Sequence, residues 1–193
     1  MQIDAELRQG VIEALTEAKK IKDHGLRERV YDAWAFSLSK TSYKRIEEMP
    51  ASGLPGLPAL KGATQADHLN GVARLGAAIA ESMMGLVEEF EVSTDEVIAG
   101  GLCHDLGKPY EYDPENRARW EGDPRITGAP SIRHPVYGVY LALAAGLPEK
   151  IAHIAGAHSR EGEHITRSLA CEIVHIADET YWGLLGRSGL MVG

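Results

Sequence analysis

Apolar positions recur along this chain at the three- and four-residue spacing of a helix, and strict alternation is nearly absent. Leu7, Val11, Ile12, Leu15 and Ala18 predict a first helix from Ile3 to about Lys22. Val30, Tyr31, Trp34 and Leu38 share one face of a second, from about Leu26 to Leu38. Between Met49 and Gly62 three prolines and three glycines predict an irregular loop and a boundary. Thr64 with Asp67 three residues on has the form of a capping box, and starts a helix through Met83. Ser93 to Glu96 open the next, which should end near Gly107 with Pro109 as its stop. Tyr110 to Ala129 is polar and aromatic, interrupted by Pro114 and Pro124, and reads as a long connecting loop. Pro135 suits a first helical turn, so His134 falls at the mouth of a helix to Ala145. Pro148 opens another through about His158, and a last helix runs from about Thr166 to Leu185. No strand longer than a few residues is expected. The fold class is therefore all-α, with N-terminal helices and a Pro/Gly-rich loop over 1–62 and a helical core over 63–193.

Composition narrows the class. With 44% hydrophobic and 25% charged residues in 193, the chain has the balance of one soluble globular domain. The apolar stretches are too short and too broken by charge to span a bilayer, so no membrane association is expected. Met1 is not followed by a basic and then apolar leader, which makes the expected location cytoplasmic. A net charge of −8 argues against a surface that coats a nucleic-acid polymer, and leaves a small anionic substrate open because local cations decide that. Cys103 and Cys171 sit in apolar helical patterns and read as buried, reduced thiols. Self-association is left open.

The candidate chemistry lies in histidine and aspartate. His104-Asp105, inside Leu102-Cys103-His104-Asp105-Leu106-Gly107-Lys108-Pro109, offers an imidazole and an anionic oxygen side by side, a pair suited to a divalent metal of intermediate hardness. His68 lies upstream; His134, His158 and Asp178 follow, nearly each on a different expected helix. A metal site in a helix bundle is built this way, since each helix projects one or two side chains inward. Asp178 ends the run Ile173-Val174-His175-Ile176-Ala177, where an uncompensated carboxylate is costly and a metal would neutralise it. His175, one turn earlier, is a candidate to orient a ligand. His153 faces away from His158, and His24 and His164 read as surface residues.

The order His, His-Asp, His, His, Asp resembles the HD-domain superfamily of metal-dependent phosphohydrolases, from about Thr64 to Leu185. The His-Asp-Leu-Gly-Lys string and Ala177-Asp178-Glu179 are its most specific pieces. The resemblance implies a helical bundle and two divalent metal ions, of iron, manganese, cobalt or zinc. One would be held by His68, His104, Asp105 and Asp178, the other by His134, His158 and the bridging Asp105. It further implies catalytic roles for Asp105 and Lys108, with Lys108 meeting substrate anions. Arg133 and Arg160 are candidate substrate contacts; Ser159 and Glu161 lie at the expected entrance, and Tyr110, Tyr112 and Trp120 are candidates to stack on a ring. The expected activity is hydrolysis of a nucleotide or another small phosphorylated metabolite. The alternative is a di-iron oxygenase cleaving a C–C or C–P bond, because some superfamily members use the same ligands so. A vestigial, non-enzymatic domain should have lost a ligand, and all six are present. No Gly-Tyr-Pro string lies near the motif, which disfavours the cyclic-dinucleotide subgroup.

Overall fold

A computed structural model describes residues 3–192 of the chain. Helix α1 (Ala5–Ala14) begins where Asp4 Oδ1 accepts from the amides of Glu6 and Leu7, at 2.8 and 3.2 Å. The single helix expected to Lys22 breaks at Leu15, and a 3-10 turn (Thr16–Lys20) follows. Asn70 explains the break: its side chain donates to Ala14 O and accepts from Glu17 N, so it satisfies the groups a helix would have paired. Glu17, buried at 5% exposure, is gripped by Lys20 at 2.7 Å and Arg74 at 2.9 Å.

Helix α2 (His24–Leu38), capped by Asp23, packs its Val30, Trp34 and Leu38 face into the core. Trp34 Nε1 donates to Leu102 O at 2.7 Å and Ser37 Oγ to Leu106 O at 2.6 Å. The N-terminal helices thus hold the backbone of the His-Asp segment directly.

The Pro/Gly-rich stretch is not wholly irregular. Strands β1 (Pro50–Ser52) and β2 (Ala59–Thr64) pair antiparallel, and β3 (Met191–Val192) adds to β2, in the order β1-β2-β3. The prolines flank or begin strands, where a missing N–H costs nothing, rather than interrupting the ladder. The boundary expected at residue 62 falls inside β2.

Helix α3 (Gln65–Leu86) opens with the expected capping box of Thr64 and Asp67. Helix α4 (Thr94–Cys103) starts at its Ser93 cap and crosses α3 so closely that a Cβ on Gly101 would lie 2.7 Å from Ala73 Cα. It stops four residues short of expectation, and His104 to Gly107 turn instead. The expected loop from Tyr110 is three short helices: α5 (Lys108–Tyr112), α6 (Pro114–Gly122) and α7 (Pro124–Thr127). Each has proline in its first turn, where its fixed φ favours a helix start. Helices α8 (His134–Ala144), α9 (Glu149–Ala157) and α10 (Leu169–Arg187) follow, with a 3-10 turn (Arg160–His164) between the last two.

One apolar core unites these parts, from Val11, Trp34 and Leu38 through Leu69, Val72 and Leu102 to Ile154 and Val174. The class is all-α with a small sheet at one edge. Among the described residues no helix is long and apolar enough to cross a membrane. Both cysteines are buried and unpaired, as expected; burial pushes the Cys171 thiol up to about 12, so it stays protonated.

Candidate metal centre

The six expected ligands come together from five helices. His68 projects from α3, His104 and Asp105 from the turn after α4, His134 from the start of α8, His158 from the end of α9 and Asp178 from the middle of α10. His68 and His104 are fully buried and Asp105 is 2% exposed.

Asp105 divides the cluster in two. Its Oδ2 lies 3.2 Å from His104 Nε2 and 3.3 Å from His68 Nε2. Asp178 Oδ1 closes that group, 3.4 Å from His68 Nε2 and 3.9 Å from His104 Nε2. The other oxygen, Oδ1, lies 3.3 Å from His134 Nε2 and 3.8 Å from His158 Nε2.

The outer ring nitrogens show how the rings are oriented. Nδ1 of His104 is 2.8 Å from Gly101 O, and Nδ1 of His158 is 3.0 Å from Ala155 O. A carbonyl only accepts, so both Nδ1 atoms donate, and each ring turns its Nε2 inward. His134 Nδ1 lies 2.5 Å from the Glu111 carboxylate, with the same consequence. Lone pairs facing carboxylate oxygens repel unless a proton or a cation lies between them. Asp178 Oδ1 is buried and accepts no hydrogen bond. The donor set is nitrogen and oxygen only, suited to a divalent ion of intermediate hardness. Among the described residues the donor atoms of His68, His104 and Asp178, and those of His104, Asp105 and His158, lie within 4.8 Å of one another, and His134 belongs to neither set.

The titration of the cluster follows. Burial drives the pKa of His68 down, and that of His158 down to about 3, which keeps a lone pair available there. Burial acts the same way on His104, but the Asp105 and Asp178 charges outweigh it and raise its pKa. Burial also opposes the charge on Asp105, yet His104 and Lys108 hold its carboxyl well below the ordinary range.

Lys108 is 3% exposed and donates to Asp105 Oδ2 at 2.8 Å and to Ser52 O at 2.9 Å. Gln65 Nε2 donates to the same oxygen at 2.8 Å. Burial opposes the lysine charge, but Asp105 more than compensates. Arg133 is paired with carboxylates on both sides, Glu111 and Glu161. Arg160 is exposed and makes no ion pair among the described residues.

A cavity of about 1260 Å³ opens over the cluster. Asp105, Lys108, His134, His158 and Asp178 line its floor; Leu54, Leu57, Trp120 and Trp182 give it apolar walls, and Arg160 lies at its side. Tyr110 is not among its walls but stacks on Tyr137, and Tyr112 donates to Ser52 O, so both aromatics pin local structure. His175 Nδ1 lies 2.6 Å from His158 O and fixes the backbone behind a ligand. His153 accepts from Ser168 N, away from the cluster.

Sequence reasoning missed Gln65, Glu111, Tyr181 and Trp182. Glu111 falls in a stretch read as loop, and only the fold brings it to His134. Tyr181 and Trp182 both pack on the His68 ring, each with centroids 4.8 Å apart. Their positions one turn beyond Asp178 on α10 are the one signal that was available.

The HD-domain family model matches residues 66–182. No curated protein and no solved structure matches the chain.

Proposed function

The chain belongs to the HD-domain family, whose members are generally metal-dependent hydrolases, and from that premise we propose that it hydrolyses a phosphoester of a nucleotide or another small phosphorylated metabolite, using two divalent ions. The observation that carries this reading is the division of Asp105 between two histidine groups. His68, His104, Asp105 and Asp178 would hold one ion; His134, His158 and Asp105 the other. Iron, manganese, cobalt and zinc all suit these donors. When bound, such ions supply Lewis acidity, acidifying water and drawing charge from phosphoryl oxygens.

The remaining work falls to side chains. Lys108, tied between Asp105 and Ser52 O, holds the bridging carboxylate in one rotamer and presents fixed positive charge at the cavity floor. Arg160, free of carboxylates, takes the anionic part of the substrate that does not react, and its planar fork suits a phosphate. Arg133 is engaged by Glu111 and Glu161, so its part is support rather than substrate contact. Leu54, Leu57 and Trp120 receive the organic portion, with room for a nucleoside.

The test is metal analysis of protein purified without oxygen, followed by assay on a panel of nucleotides and a generic phosphodiester. Two ions per chain and phosphate or alcohol release are expected, with His134→Ala and His158→Ala each reducing the ion content. A coupled iron pair that consumes oxygen and releases no phosphate would sink the hydrolase reading.

A further inference from the structure

His134 stands apart from the other histidines in how its ring is held. His104 and His158 lie at the C-terminal ends of α4 and α9, where Nδ1 finds the carbonyl three residues back on its own helix. His134 is the first residue of α8 and has no preceding turn to offer an acceptor. Its acceptor comes from another element: Glu111 of α5, 2% exposed, takes both the His134 backbone N–H at 3.1 Å and Nδ1 at 2.5 Å on the same Oε2.

Glu111 is itself held. Its Oε1 takes Arg133 Nη1; Arg133 Nε donates to Glu161 Oε1 at 3.0 Å, and Ser159 Oγ donates to Glu161 Oε2 at 2.6 Å. The chain of contacts starts on His134 and ends on the residue after His158, spanning the two histidines of one group and neither histidine of the other.

We infer that Glu111 is a positioning residue for the second ion alone: it fixes the His134 ring with its proton on Nδ1 and its bare Nε2 aimed at Asp105 Oδ1. The inference rests on the two-ion reading. A carboxylate behind an imidazole also makes the ring a stronger donor than a backbone carbonyl does, and loss of such a partner typically costs about 10–100-fold in metal affinity.

The experiment is titration of metal-free protein with cobalt(II), comparing wild type, Glu111→Gln and Glu111→Ala. The alanine variant should keep its first ion and bind the second about 10–100-fold more weakly. Glutamine, which retains a carbonyl oxygen for Nδ1–H but loses Arg133, should fall between. Long-range ¹⁵N–¹H spectra of the metal-free proteins give a second readout. They should show His134 protonated on Nδ1 in wild type and a tautomer mixture in Glu111→Ala. Unchanged affinity at both positions with an unchanged His134 tautomer would overturn the inference, even if the variant melts lower. Should Glu111→Ala fail to fold, the near-isosteric glutamine variant decides by the same two readouts. A wild type that binds one ion would defeat the two-ion reading, and the tautomer comparison would then decide the Glu111 contact on its own.

Discussion

Single side chains carry the polar logic of this fold, and Glu17 is the clearest case away from the cavity. Burial opposes its charge, but Lys20 and Arg74 hold its pKa below the ordinary value. A carboxyl depressed in the fold contributes stability above its unfolded pKa of about 4.3, and that stability is lost as pH falls through the folded value. Both cations have exposed heads, so the contribution is about 1 kcal/mol. Urea unfolding should therefore show wild type losing that margin over Glu17→Gln as pH falls below about 4.3; parallel curves would refute the pairing. At this scale the ligands were the legible residues. Asp178 in an apolar run and histidines one to a helix are costly without a purpose, and cost can be read from pattern. Gln65, Glu111 and the carbonyl of Ser52 were not legible, because a polar residue in a polar stretch carries no such signal.

Elements meet tightly where the His-Asp turn touches α8. A Cβ on Gly107 would lie 2.1 Å from His134 O. Gly107→Ala must therefore push the start of α8, with His134, away from Asp105. The expected cost is about 1–3 kcal/mol of stability, together with loss of the second ion, checked by chemical denaturation and metal stoichiometry. Gly53→Ala, which has open space around it, serves as the control and should change neither. The long helices were readable because their apolar stripes persist for several turns. The three helices from Lys108 to Thr127 were not, since they run only four to nine residues and their prolines argue for a breaker and a first-turn residue alike. The 3-10 break after α1 was hidden for another reason: the residue that stabilises it, Asn70, is distant in sequence.

Across the whole molecule, the helices before residue 62 and those after it share one core, and Trp34 and Ser37 bond to the carbonyls that flank His104 and Asp105. Occupancy of the site and stability of the fold are therefore linked. An ion at a hundredfold excess over its Kd should add about 2.7 kcal/mol, so chelation should lower the melting temperature and divalent ions restore it. A melting temperature indifferent to both would mean that the cluster binds no ion in the folded state. The stacking of Trp182 on His68 has a consequence in optics. An indole in contact with an imidazole loses emission when that ring is protonated or coordinates an open-shell ion. Of the chain's three tryptophans, Trp34 lies sealed in the core and Trp120 stands at the cavity wall. Trp182 alone rests on a candidate ligand, so under the proposed two-ion reading the protein carries an intrinsic fluorophore that reports on the position of His68 without a label.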